Sequence, residues 1–148
     1  MSLLRRRLAA GLVACTLVAL VPGVAGAGTE TLKRSVGNMV QAPLDLALSP
    51  VVAGRSIYRN LQDIDDSTAV RIAYPLPGFV WNTMVQAGAS LIRGITGVME
   101  FVPGLILLPF ESEMDPLFDP VERNEALVDY ETPVLWIKFG IDYTSVPY

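Results

Sequence analysis

Polar positions along residues 79–110 recur with a fixed rhythm. Asn82, Gln86, Ser90, Arg93, Gly97 and Glu100 are spaced 4, 4, 3, 4 and 3, the repeat of one helix face. At 100° per residue they fall in a sector about 80° wide. Nearly everything between them is apolar, including Trp81, Met84, Leu91, Ile92, Ile95, Val98 and Met99. An ordinary surface helix shows water a much broader polar face. The spacing therefore predicts a helix that is mostly covered, by its own protein, by a partner or by lipid. Pro75-Leu76-Pro77-Gly78 opens it, and Pro103 breaks the dense apolar run 91–110.

A first amphipathic helix is predicted over residues 32–48. Leu32, Val36, Met39 and Val40 share one face, and Arg34, Asn38, Gln41 and Asp45 share another at spacings 4, 3 and 4. Pro43 is expected to kink or end it. Residues 49–78 read as a connection holding at most a short helix, because Ser49-Pro50 and Gly54 are breakers. Within it Asp63-Ile64-Asp65-Asp66-Ser67 has the start of a calcium loop. Thr68 stands where that loop needs its turn glycine and Tyr74 where it needs a bidentate glutamate, so the stretch reads as a solvated acidic turn. Ser90, Gly94 and Gly97 are small enough for a second helix to approach closely. A helical hairpin or a helix-mediated oligomer follows.

Past Phe110 the pattern changes. Glu111, Glu113, Asp115, Asp119, Glu122 and Glu125 lead into Asp129 and Glu131, interrupted by a single Arg123, with Asp115-Pro116 and Asp119-Pro120 as turn formers. Such charge blocks are usually solvated connectors; a divalent-cation site or a docking face for a basic partner is the functional alternative. Over residues 134–143, Leu135, Ile137, Phe139, Ile141 and Tyr143 alternate with Trp136, Lys138, Gly140 and Asp142, the two-residue period of a strand. Residues 126–130 are placed to pair with it across Glu131-Thr132-Pro133. One or two strands cannot close a membrane barrel. The fold class is thus α+β and mainly helical: two amphipathic helical segments, an acidic connector and a short C-terminal β-strand or hairpin.

The N-terminus changes the reading of location. Arg5, Arg6 and Arg7 precede an apolar run over 8–21, then Pro22-Gly23 and the small residues Ala25-Gly26-Ala27. This is the layout of an export signal, so residues 1–27 are expected to be removed and 28–148 to form a single small domain, with a helical part at 28–110. Leu12-Val13-Ala14-Cys15 resembles a lipoprotein cleavage box, but the apolar run continues beyond Cys15, against lipidation. Of the 148 residues, 11 are Lys or Arg and 15 are Asp or Glu. Loss of the three leader arginines leaves 8 against 15, a net charge of −7. A chain this acidic is a poor nucleic-acid ligand, because phosphate affinity needs basic residues. Adhesion to anionic lipid by charge is excluded for the same reason.

The chemical inventory is mostly negative. There is no histidine and only one cysteine, Cys15, which is expected to leave with the signal. Histidine-based triads, thiolate catalysis and His- or Cys-ligated metals are therefore excluded. Gly94 and Gly97 do not form a phosphate loop, since no strand precedes them. Carboxylates remain, and Glu100, projecting from an otherwise apolar helix, is the best candidate for a carboxylate-dependent hydrolase. The bland reading is that Arg93 and Glu100 line one wet stripe, about 10.5 Å apart along the axis and out of direct reach. No catalytic, cofactor-binding or metal-ligating residue is assigned.

Arg93-Gly94-Ile95-Thr96-Gly97-Val98-Met99-Glu100-Phe101 followed by prolines, together with Arg34-x3-Asn38, resembles the small secreted bacterial family of exosortase system-associated proteins. The likeness covers residues 30–120, and departs from the family where Ser35 replaces a glycine and Gln41 or Asp45 replaces a glutamate. The resemblance implies a cell-envelope location in an exopolysaccharide-producing bacterium, and no biochemical activity. It makes Arg34, Asn38, Arg93, Gly97 and Glu100 the candidate interaction motif. The expected function is that of a non-enzymatic, exported envelope protein in the periplasm or at a membrane. Its expected partners are an envelope protein, the polysaccharide machinery or a membrane surface, or a second copy packed through the helices. The alternative is a membrane-active protein that inserts residues 79–110 as a hairpin and oligomerises.

Overall fold

The structure is a computed structural model that describes residues 28–110, 112–131 and 136–145. Residues 1–27, where an export signal is expected, and with them Cys15 lie outside the described residues, as do 132–135 between the two strands. Helix α1 is Gly28–Asp63, α2 is the short Thr68–Ala73, and α3 is Pro75–Leu107, extended by a 3-10 turn at Leu108–Phe110. Strands β1 (Ala126–Glu131) and β2 (Trp136–Ile141) pair antiparallel, with Val128 opposite Phe139 and Tyr130 opposite Ile137. The mainly helical α+β class is observed.

Two expectations are corrected. The first helix does not end near Pro43: it continues through Pro43 and Pro50 to Asp63, so most of the predicted connection is helical. Nor does Pro103 end α3, which continues to Leu107. A proline inside a helix deletes one backbone hydrogen bond and strains one turn. Pro43 and Pro50 both face outward. On the opposite side Thr31, Ser35, Asn38, Gln41, Asp45, Ser49 and Ser56 are all buried and keep helical spacing past both prolines. Tertiary contact along that side holds the helix together where local preference would stop it.

Helices α1 and α3 run antiparallel in close contact, which gives the predicted hairpin. Ser35 Oγ donates to Gly97 O at 2.7 Å, and the hairpin is closed at the far end by Ile57 against Gly78. Glycine sets the approach: a Cβ on Gly97 would lie 2.9 Å from Met39 N and Ser35 O, both backbone atoms. Gly88, in the same helix, has nothing within 4 Å of its Cβ position. Gly88→Ala should therefore stabilise the protein by up to about 1 kcal/mol through helix propensity. Gly97→Ala should reverse the sign and cost about 1–3 kcal/mol by overpacking. Denaturant unfolding of the two variants checks the contrast.

The burial pattern is inverted. Among the described residues, the buried apolar side chains are Ala42, Val52, Ala53, Ile57 and Ile141, with Pro120 and four glycines beside them. The buried polar and charged set is far larger and includes the whole stripe of α3 from Asn82 to Glu100. On the other side of α3, Trp81, Met84, Leu91, Ile92, Ile95, Val98, Met99, Val102 and Ile106 are exposed, joined on α1 by Val40, Leu44, Leu46 and Val51. The narrow polar stripe is covered by the protein itself, and the wide apolar face is the one left open.

Candidate functional site

The polar stripes of α1 and α3 meet along the hairpin and receive β2. Arg93, 1% exposed, lies at the centre. Its Nε donates to Asn38 Oδ1 at 2.9 Å and its Nη2 to Gln41 Oε1 at 2.8 Å. Its Nη1 donates to Asp45 Oδ2 at 2.5 Å and to Lys138 O at 3.0 Å. A planar guanidinium suits this forked demand, which an ammonium cannot meet.

The same side chains hold the strand's backbone. Gln41 Nε2 donates to Trp136 O at 2.7 Å, while Gln41 Oε1 accepts Lys138 N at 3.0 Å. The amide thus pairs with β2 as a neighbouring strand would. Asp45 Oδ1 accepts Gly140 N at 2.6 Å, and Asp45 Oδ2 also accepts the Tyr143 hydroxyl at 2.7 Å. Gly140 has φ of 67° and its missing Cβ would strike Leu127, so this position needs glycine. One edge of β2 is therefore satisfied by helix side chains and the other by β1. The sheet stands edge-on to the hairpin, with β1 outermost and largely exposed.

The chain after β2 is anchored by Asp142. Ser56 Oγ donates to its Oδ2 at 2.6 Å and Gln86 Nε2 to its Oδ1 at 2.9 Å. Burial pushes this carboxyl up, but the bonds from Ser56, Thr144 and Gln86 together outweigh it and leave it below its ordinary value. Burial, with the Asp45 carboxylate beside it, pushes the Tyr143 hydroxyl well above its ordinary value. Strand β2 ends at Ile141 rather than 143 because Asp142 starts a turn, accepting from Thr144 and Ser145.

Glu100, 0% exposed, organises the other end. Arg34 Nε donates to its Oε2 at 3.0 Å and Leu117 N to its Oε1 at 2.8 Å. Arg34 Nη2 also reaches Met114 O at 2.8 Å. The acidic connector is thereby tied along the same polar side of the hairpin, and it reaches Arg59 through Glu125 at 2.6 Å. Arg93 and Glu100 do not contact each other; each takes partners from α1.

All five candidate motif residues thus fall along one seam, four of them buried and Arg34 half-buried. Arg93 bonds Asn38, Arg34 bonds Glu100, and Gly97 admits α1. The chain itself supplies their partners; among the described residues Asn38 Nδ2 is a buried side-chain atom left without one. The residues not singled out as a site from sequence are Gln41, Gln86, Asp45, Ser56 and Asp142. A signal for the α1 members existed: Thr31, Ser35, Asn38, Gln41, Asp45 and Ser49 are spaced 4, 3, 3, 4 and 4. Among the described residues no group of three or more His, Cys, Asp or Glu side chains is placed to hold a metal ion. On the hairpin's opposite, apolar side a groove of about 420 Å³ lies between Met39, Pro43 and Leu46 of α1 and Leu91, Ile95 and Val98 of α3. Comparison of the chain with family models, curated proteins and solved structures finds no match.

Proposed function

We propose that this is an exported, non-enzymatic envelope protein that seats on a membrane through the apolar face of its helical hairpin. The observation that carries the reading is the inverted burial: an open apolar face on both helices, backed by a seam of hydrogen-bonded polar groups. Soluble monomers rarely leave apolar patches larger than a few hundred Å² open to water. Lipid supplies the missing cover without a partner protein. Pro75–Phe110 is also long and apolar enough to cross a membrane by length and composition, though the same holds for many core helices. A structural role fits the seam, whose hydrogen bonds hold the sheet and connector in place. The likeness to exosortase system-associated proteins supports an envelope address and adds no activity.

Expression from the full sequence, followed by fractionation and vesicle flotation, tests this. The protein should stay with membranes through high salt, leave them in detergent, and float with neutral phosphatidylcholine vesicles. Salt-independence is expected because apolar burial, not charge, provides the attachment. Recovery in the soluble fraction, with no flotation, would overturn the proposal.

A further inference from the structure

We infer that the hairpin lies flat in a single leaflet, its groove filled by lipid acyl chains and its sheet in water, rather than crossing the bilayer. This rests on the membrane seat proposed above and specifies its geometry.

Length is the first argument. Exposed apolar side chains on α3 and its 3-10 extension run from Leu76, 75% exposed, to Phe110, 69% exposed. These 34 steps cover about 50 Å of helix, against a hydrocarbon core of about 30 Å. An upright hairpin would leave about 20 Å of the apolar strip in water or headgroups. A flat one covers all of it.

The position of the sheet is the second. Strand β2 is held beside the middle of both helices, Lys138 at Gln41 and Arg93, and Gly140 at Asp45. If the hairpin crossed, that middle would coincide with the bilayer centre. Outermost β1 would then place the exposed Asp129 and Glu131 in hydrocarbon, along with the backbone groups of an open strand edge. Charged side chains and unpaired backbone at that depth are strongly disfavoured. Lying flat puts β1 on the water side, two strand spacings from the helices.

Charge is the third. Residues 28–110 carry six Lys or Arg and six Asp or Glu, so the helical layer is neutral. Residues 111–148 carry two basic and nine acidic residues, a net −7. The excess of negative charge carried by residues 112–131 and 136–145 sits in the layer that a flat seat holds away from the lipid, where repulsion by anionic headgroups is weakest. The apolar groove opens on the opposite side, towards the acyl layer, and its lining offers a lipid chain almost nothing polar.

Depth-resolved quenching tests the geometry. Trp81 and tryptophans introduced by Ile95→Trp and Ile106→Trp lie along the midline of the exposed face, two near its ends and one between, each studied as the sole tryptophan, with Trp136→Phe and, for the introduced probes, Trp81→Phe. The full-sequence protein is bound to phosphatidylcholine vesicles brominated near either the carbonyl or the methyl end of the chains. A flat hairpin gives carbonyl-end to methyl-end quenching ratios that agree within about twofold at the three sites, because all three share one depth. A crossing hairpin places the Ile95→Trp probe about 20 Å along the axis from Trp81, and the methyl-end lipid then quenches it several-fold more than the two end probes. That result overturns the flat geometry while leaving the membrane seat intact. Absence of quenching at every probe, with no flotation, overturns the membrane seat itself.

Discussion

Replacing Arg93 with leucine lowers the unfolding free energy by about 3–5 kcal/mol, the cost of removing one partner from a buried ion pair. The loss arises less from the missing contact than from what stays behind. Asp45 is as deeply buried as Arg93, and its carboxylate would keep only the Gly140 and Ile141 amides and the Tyr143 hydroxyl as donors. Asn38 Oδ1 would lose its donor as well. Arg93→Lys should recover only part of the loss, since one ammonium cannot serve Asn38, Gln41, Asp45 and Lys138 O together. The double variant Arg93→Leu/Asp45→Leu should be less damaging than the sum of its single variants, because it removes both charges. Denaturant unfolding in detergent micelles, followed by circular dichroism, gives these values. A cost below about 1 kcal/mol for Arg93→Leu would mean that the seam is wet and the pair screened.

Much of the fold was legible because helices and strands write their periods into sequence. The stripe Asn82, Gln86, Ser90, Arg93, Gly97 and Glu100 is one face of α3, as its spacing demanded, but it is buried where a wet stripe was expected. The alternation around Ile137 and Phe139 gave the strand, and its partner at 126–130 pairs as expected. What periodicity cannot supply is sign. A two-faced helix says that the faces meet different surroundings, and ordinary experience of water-soluble cores puts the apolar face inside. Here the polar face is inside, and only the three-dimensional pairing of Arg93 with Asp45 and of Glu100 with Arg34 reveals it.

The length of α1 was illegible for a different reason. Pro43 and Pro50 are strong local stop signals, overruled by long-range hydrogen bonds made on the far side of the same helix. The role of Asp45 was hidden likewise, since its partners Gly140 and Tyr143 lie about a hundred residues downstream. Nothing local marks a helix carboxylate as the acceptor for a strand's backbone. The two polar stripes are of similar pitch, however, and laid side by side they define a groove rich in paired donors and acceptors. A buried extended segment is the economical occupant of such a groove, because its backbone needs the same groups.

Ile95→Glu should leave the fold intact and abolish the membrane seat. Ile95 is 58% exposed and lies on the face of α3 opposite the Arg93 seam, so its replacement disturbs no buried group. Its effect on unfolding free energy should stay within about 0.5 kcal/mol. Membrane partition responds on another scale. The variant loses the burial of one aliphatic side chain, about 1.5–3 kcal/mol, and adds the cost of bringing a carboxylate towards the acyl layer. Together these predict a fall in vesicle partition of about a hundredfold or more, read by flotation against Tyr130→Glu on β1, where Tyr130 is 64% exposed, as the control facing water. Equal partition of Ile95→Glu and the unaltered protein would detach the apolar face from the membrane. If the face instead joined two copies of this chain, Ile95→Glu would convert a soluble dimer into a monomer without changing vesicle binding. The two covers of the same face thus give opposite readouts from one substitution.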